Sequence, residues 1–381
     1  MIDLLVVDDE VGILEGLEHQ LRGMRGQWRM QFALGGAAAL AALDARRFDV
    51  VISDMRMPGV DGIAVLERVR ERHPEAVRLI LSGEVGPGSL DRLLATAHQV
   101  LTKPCPPPRL RSTVERALAV RDAVHDPAVR ALVTAVGELP PAPRLWMKIG
   151  ELLRRADVGA GTLAEVLAED PALTARLIRL AGSVGSGARR ISSVVDAVRV
   201  LGTDAVHALV LSLELGGTRA DPALERIYAH GLVTAHVTRA LARPADVDAA
   251  FAAGAMHDLG AVVLTVARPA QLAALRERAR REERPLVELE RAELGASHAE
   301  VGAYLLGLWG MPQPLVEAAA FHHDPGRLPG ELGLAGAVYL ANLLVADGHH
   351  AEPDGGWLAR AGVAGELPRW RKLAAPYLAA S

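Results

Sequence analysis

Three consecutive acids, Asp8-Asp9-Glu10, close the apolar run Leu4-Leu5-Val6-Val7. Like charges gathered at one point repel, and they stay ionised together only with a cation among them. An all-oxygen donor set suits Mg2+, which keeps several waters and needs few carboxylates. A second apolar run, Val50-Val51-Ile52-Ser53, ends in Asp54. Two further runs, Val77 to Leu81 and Val100 to Thr102, are followed by Ser82 and Lys103. Acids, a hydroxyl and an ammonium are together able to hold a divalent ion, accept a phosphoryl group on Asp54 and pair with its added charge. A solvated strand end explains any one of these residues. Their joint appearance at the ends of four runs is what marks a site.

The second set of candidate residues is histidine-rich. Nine of the 13 histidines follow residue 200. Those with companions are His230, the pair His257-Asp258, His298 and the pair His322-His323. Imidazole and carboxylate suit Zn2+, Fe or Mn2+, and ligands drawn from several helices of a bundle are how di-metal sites are built. Read on one continuous helix ended by Leu259-Gly260, His257 and Asp258 point about 100° apart and meet one ion only near the helix end. The competing reading is a buried polar knot in which these two residues bond to each other and to backbone.

The elements that must position these groups differ between the two halves. Up to about residue 121, buried-type strand runs alternate five times with helical patterns such as Val11 to Leu21, Ala37 to Leu43 and Ile63 to Val69. That predicts an α/β, doubly wound, five-stranded parallel sheet with its site at the C-terminal strand ends. The helix after Pro106-Pro107-Pro108 carries the stripe Leu110, Val114, Ala117, Leu118 and reads on towards His125; Asp126-Pro127 then reads as the cap and first turn of the next. With no Gly or Ser richness, 122–137 is expected to be a helical connector.

Beyond it the spacing is helical throughout, so the second half is expected to be all-α. Helices are predicted from a Thr162 cap to Asp170, from Pro171 to Ala181, and from Ser192 to Leu201. Further ones are predicted from 203 or 204 to Leu215, from Asp221-Pro222 to Leu241, from Asp246 to Leu259-Gly260, and at 269–282, 297–308, 313–322, 331–346 and 368–379. The expected layout is 1–121, a connector 122–137, a helical domain 138–346 and a tail 347–381.

At 381 residues, two domains are the natural expectation. Net charge of −4 argues against a protein that binds nucleic acid through bulk electrostatics. The short basic clusters Arg189-Arg190 and Arg369 to Lys372 read as solvated faces. The one cysteine, Cys105, permits no internal disulfide and suits a reducing compartment. No uninterrupted apolar stretch reaches the ~18 residues of a membrane span, and the N-terminus lacks a signal-type core. A cytoplasmic protein is expected.

The first third resembles the receiver domain of bacterial response regulators, with its CheY-like fold. By position, the resemblance implies Mg2+ on Asp8, Asp9 and Asp54, with Asp54 as phospho-acceptor. Ser82 would sense the phosphoryl oxygens. Lys103, before a cis Pro104, would pair with them, and a sensor histidine kinase would be the donor. Receivers usually carry an aromatic switch residue three positions before the lysine; Val100 stands there. Some receivers pair as homodimers through their last helices and strand.

The second half is similar to the HDOD family, the degenerate branch of the HD metal phosphohydrolases, across several short motifs in order. These are Glu138 to Pro143, Asp170-Pro171-Ala172-Leu173-Thr174, Ile191-Ser192-Ser193-Val194, Val200-Leu201-Gly202, Ala255 to Gly260, His298 to Gly302 and Phe321 to Pro325. The catalytic HD-GYP relatives cleave cyclic di-GMP. Their ligands map to His230, His257, Asp258, His298 and one of His322 and His323. Their last acid falls at Asn342, their lysine at Ala261, and their signature loop is replaced by Pro325-Gly326-Arg327; Gly182 departs from the HDOD pattern as well. The resemblance therefore implies a non-catalytic output domain that binds an unidentified protein. The alternative is a phosphorylation-gated metal phosphodiesterase.

Overall fold

A computed structural model describes residues 1–83, 90–122, 124, 126–136, 139, 159–184, 191–202, 206, 221–328, 330–347 and 353–378. The chain divides into two compact units, one built on Met1–Glu138 and the other on most of the remainder. In the first, the strands β1 (Ile2–Asp8), β2 (Trp28–Leu34), β3 (Val50–Asp54), β4 (Val77–Ser82) and β5 (Gln99–Thr102) form one sheet in the order β2-β1-β3-β4-β5. Every pairing is parallel. Leu4 to Val7 and Val50 to Ile52 are wholly buried because helices cover both faces. These are α1 (Val11–Gln20), α2 (Gly35–Ala45), α3 (Gly62–Arg72), α4 (Leu90–Thr96) and α5 (Pro107–Asp122).

The strand order reverses between β1 and β3, where doubly wound sheets open a crevice at their C-terminal ends. Register sets the contents of that crevice. Val7 pairs with Ser53, Asp54 with Leu81 and Ser82 with Thr102, so the polar residues that end the strands arrive side by side.

The last receiver-like helix ends at Asp122, and a separate helix, α6 (Pro127–Ala135), follows. Asp126 caps it, accepting from the backbone N–H of Ala128 (2.7 Å) and Val129 (3.1 Å). Its C-terminal end is held inside the first unit. The fully buried Arg78 donates to the Thr134 carbonyl at 2.5 Å, and His98 Nε2 reaches the same oxygen at 3.0 Å. The Arg78 backbone N–H donates to His98 Nδ1 (3.0 Å), so the ring proton sits on Nε2. A cationic donor at a helix C-terminus also meets the negative end of its dipole.

The second unit contains only helices among its described residues. They are α7 (Ala160–Ala168), α8 (Pro171–Val184), α9 (Val194–Leu201), α10 (Pro222–Leu241), α11 (Val247–Met256), α12 (Leu259–Ala267), α13 (Pro269–Glu282), α14 (Leu286–Leu294), α15 (His298–Leu308), α16 (Gln313–Phe321), α17 (Leu334–Asp347), α18 (Gly355–Arg360) and α19 (Leu367–Leu378). The long α10 packs against α11, α17 and α19. The stretch Pro244–Ala267 is long and apolar enough by composition to cross a membrane, and 83% of its most apolar window is buried within the unit.

Several boundaries correct the sequence expectations. Gly159, not Thr162, precedes the first helix of this unit, and Ser193 caps α9 through its side chain, accepting from Asp196 N–H at 3.1 Å. The helix expected to end at Leu259-Gly260 stops earlier, at Met256, and a new helix, α12, starts at Leu259. Helices α12, α14 and α18 were not anticipated. Most of the 138–143 motif, the Arg189-Arg190 pair and most of the helix expected from 203 or 204 to 215 lie outside the described residues.

Candidate functional site

At the sheet's C-terminal edge, Asp8 is 1% and Asp54 7% exposed, and the Lys103 ammonium lies between them. Lys103 Nζ is 2.8 Å from Asp8 Oδ2 and in direct contact with Asp54 Oδ1. Burial alone would push this ammonium down; hydrogen bonds and charge from Asp54 and Asp8 outweigh it, so Lys103 is held above its ordinary value. The remaining carboxylate oxygens take backbone donors: Glu10 N–H to Asp8 Oδ1 (3.0 Å) and Arg56 N–H to Asp54 Oδ2 (2.6 Å). Ser82 is buried on the adjacent strand end, with Oγ 3.4 Å from Met55 Sδ and its carbonyl accepting from Lys103 N–H at 2.7 Å. Asp9 follows Asp8 as an exposed side chain.

Local chemistry explains the geometry. The Lys103-Pro104 bond is cis. A Cβ on Gly62 would lie 1.9 Å from the Asp54 carbonyl, so only glycine lets α3 start this close to the site. Asp61 caps that helix through Ala64 N–H at 2.7 Å. The carboxylate oxygens suit a hard divalent ion, with the Lys103 ammonium as the cation that separates Asp8 and Asp54 here.

In the helical unit, five elements bring the remaining candidates together. His230 comes from α10, His257 and Asp258 from the break between α11 and α12, and His298 opens α15. His322 and His323 follow α16, and Asn342 lies on α17. The ring centroids of His257 and His322 are 4.8 Å apart, and those of His298 and His323 5.0 Å. Asp258 joins them: its Oδ1 is 3.4 Å from His298 Nε2 and 3.5 Å from His322 Nε2, and its Oδ2 is 3.8 Å from His257 Nε2. Two groups can each hold an ion, His298–His322–His323 and His230–His257–Asp258, with the donor atoms of each within 4.8 Å of one another.

Tautomers follow from the acceptors. His257 Nδ1 lies 2.7 Å from the Gly254 carbonyl, and His322 Nδ1 2.8 Å from that of Ala319. A carbonyl only accepts, so both rings carry hydrogen on Nδ1 and present an Nε2 lone pair inwards. His257 Nε2, His322 Nε2 and Asp258 Oδ1 are buried without a hydrogen-bond partner. Buried lone pairs left unpaired on both sides of Asp258 fit a metal site. Burial pushes the His257 imidazole down to about 3 and lowers His322 as well. For His298 burial acts in the same sense, but Glu290 and then Asp258 outweigh it and hold the ring above its usual value.

Of the polar knot expected as the competing reading, the backbone bond forms, from His257 Nδ1 to Gly254, but the mutual bond does not, because Asp258 and His257 approach no closer than 3.8 Å. Gly260 does not end a helix. A Cβ there would lie 1.9 Å from the His298 carbonyl and 2.4 Å from Gly302 N, so the glycine permits the approach of α12 to α15 that sets Asp258 beside His298.

Residues 4–115 match the response regulator receiver domain and residues 139–325 the HDOD domain. The chain carries a receiver domain followed by an HDOD domain. The MmoQ response regulator of Methylococcus capsulatus str. Bath is similar, 28% identical over 61% of this chain and 98% of that one, with a TM-score of 0.50. An uncharacterised protein of Treponema pallidum (strain Nichols) is 26% identical over 56% of this chain and 44% of its own length. The response regulator protein PilR of Pseudomonas aeruginosa is 35% identical over 39% of this chain and 33% of its own. The chain thus spans less than half the length of these curated relatives.

Asn342 Oδ1 accepts from His230 Nε2 at 2.8 Å. Ala261 is buried in α12. In the receiver, Val100 is likewise buried in β5.

Sequence reasoning missed Glu290. It is 0% exposed, and its Oε2 accepts from both the backbone N–H of His298 (2.8 Å) and the ring Nδ1 (2.6 Å). The available signal was the pattern Leu286-Val287-Glu288-Leu289-Glu290 at helical spacing after Pro285, with an acid on its apolar face.

Proposed function

We propose that this protein is a phosphorelay response regulator in which Asp54 takes a phosphoryl group from a sensor histidine kinase. The observation that carries the reading is the buried crevice in which Lys103 bridges Asp8 and Asp54. Asp8, Asp9 and Asp54 would hold Mg2+, which supplies neutralising charge for the phosphoryl oxygens. An Asp54 oxygen displaces the phosphoryl group from the donor nitrogen: one P–N bond breaks and one P–O bond forms. Lys103 shifts from the Asp54 carboxylate to the new phosphoryl oxygens, and the Ser82 hydroxyl donates to them. Asp54→Asn abolishes labelling by a small phosphodonor, and chelation of Mg2+ does the same to the wild type; undiminished labelling of the variant places the acceptor elsewhere.

The output is binding of a protein by the HDOD domain, switched by phosphorylation. A near-complete switch takes about 5.5 kcal/mol of differential stabilisation. Val100 lacks the ring that turns in many receivers, so the shift runs through other packing. The −4 net charge supports a protein partner over nucleic acid. Pull-down with and without a phosphoryl mimic on Asp54 identifies it.

A second reading is supported by the two three-residue donor groups: a phosphorylation-gated phosphodiesterase acting on cyclic di-GMP or a related nucleotide. Asn342 and Ala261 weigh against turnover, since both remove groups that active relatives use. Two metal ions per chain with cyclic di-GMP turnover lost in His257→Ala supports it; metal without turnover leaves the binding role.

A further inference from the structure

The acid on α14 has no part in the roles above, and its surroundings are unusual. A fully buried carboxylate is costly unless its bonds are good and charged. Among its hydrogen bonds, Glu290 Oε2 serves only His298, through backbone and ring, and Oε1 is buried without a partner.

Comparison among the three inward-facing histidines explains the placement. His257 and His322 each sit at a helix end and give Nδ1–H to a carbonyl three residues back, Gly254 and Ala319. His298 cannot do this, because it opens α15 and no helical turn precedes it. The chain brings an acceptor from another helix instead, and that acceptor is a carboxylate. We propose that Glu290 is a positioning residue that fixes the His298 ring so that Nε2 faces a divalent transition-metal ion held by His298, His322 and His323.

A carboxylate behind a ligating imidazole fixes its tautomer and raises its donor strength, and removing such a partner typically weakens metal binding about 10–100-fold. The proposal rests on the metal-binding reading of the HDOD cluster. The competing role for Glu290 is purely structural, as an acceptor for the first N–H of α15. Glu290→Gln separates the two, because glutamine keeps an acceptor oxygen for that N–H but removes the charge behind the ring.

The test uses the full chain, stripped with a chelator and titrated with Zn2+, with bound metal counted by elemental analysis. The wild type is expected to take up two ions. Glu290→Gln is expected to keep one of them at wild-type affinity and to bind the other about 10–100-fold more weakly, with the melting temperature of the stripped chain unchanged. Glu293→Gln, an exposed acid of the same helix paired with Arg278, is expected to behave as wild type. Equal affinity for both ions in Glu290→Gln overturns the proposal. Loss of both ions together with a lower melting temperature overturns it in favour of the structural role. A wild type that takes up no metal removes both this proposal and the metal reading beneath it, and the wild-type titration alone reports that.

Discussion

Replacing Lys103 by methionine removes the one positive charge placed between two buried carboxylates. Asp8 Oδ2 loses its partner at 2.8 Å and Asp54 Oδ1 loses its closer one, while the Arg56 and Glu10 backbone donors stay. Breaking a buried pair by deleting one partner costs about 3–5 kcal/mol. The Lys103 side chain is 24% exposed, so water screens part of that, and about 2–3 kcal/mol is the working figure. For a unit of this size each kcal/mol moves the midpoint by about 4 °C, so the receiver transition in calorimetry falls by about 10 °C in chelator. Magnesium then separates this account from general damage. A divalent ion held by the same carboxylates replaces the missing charge, and at a hundredfold excess over its dissociation constant it returns about 2.7 kcal/mol. In the wild type the ion must share Asp8 with the ammonium, so its gain is smaller. Lys103→Met is therefore expected to lose stability in chelator and to recover more on Mg2+ addition than the wild type gains. In an Asp54→Asn background the same substitution costs less, because one of the two opposed charges is gone. A variant that melts with the wild type in chelator, or that gains no more from Mg2+, would refute the assignment of Lys103 as the cation of this crevice.

Other parts of the chain give sharper local tests. Gly260→Ala drives a Cβ into the His298 carbonyl and Gly302 N, so it is expected to cost about 1–3 kcal/mol by thermal melting and to reduce metal content at the HDOD cluster; wild-type values for both would break the link between that close approach and the site. Arg78→Met leaves the Thr134 carbonyl without its cationic donor, and a hydrogen bond from a charged group is worth about 1.5–3 kcal/mol, so amide exchange in Pro127–Ala135 is expected to rise about 10-fold or more; unchanged exchange means that the connector is held without Arg78. His236, stacked on Tyr377 with ring centroids 5.4 Å apart, is lowered by burial and then Arg239, with Glu169 opposing. Its unfolded form therefore binds the proton more readily, so its contribution is present above about pH 6.5 and shrinks as pH falls below that value; His236→Phe should flatten the acid slope of the melting temperature between pH 7.5 and 5, and an unaltered slope assigns that slope to other groups.

The legible parts of the sequence were those where one local pattern had one structural outcome. A buried parallel strand is a short apolar run, so the four runs and their polar ends marked four of the five strands and the meeting of Asp8, Asp54 and Lys103, whereas the half-exposed β2 offered no such run. Pro222–Leu241 was equally plain, since Asp221-Pro222 marks its start. His257-Asp258 was legible as a pair, but not as a helix break. The residues around it are apolar on both sides, and periodicity cannot see a break that leaves the apolar pattern running. Glu290 was hidden for a related reason. Charge at helical spacing usually means a solvated face, and only the packing of α14 against the start of α15 turns this acid inwards.

The two halves meet one electrostatic problem in different ways. Each gathers groups whose lone pairs or charges oppose one another in a space that water reaches poorly, where such opposition is strongest. In the receiver the chain supplies its own cation: Lys103 reaches both carboxylates, so the crevice is stable as it stands. In the helical cluster the nearest partners of Asp258 are imidazoles, with the Arg276 guanidinium acting on it as a further positive charge, and two of the rings present Nε2 lone pairs towards it. The local relief is the third ring, His298, whose charge is favoured by the buried Glu290 behind it. A proton on His298 answers only part of the demand, because His257 Nε2, His322 Nε2 and Asp258 Oδ1 still face inwards without donors. An ion with several open coordination positions answers all of it.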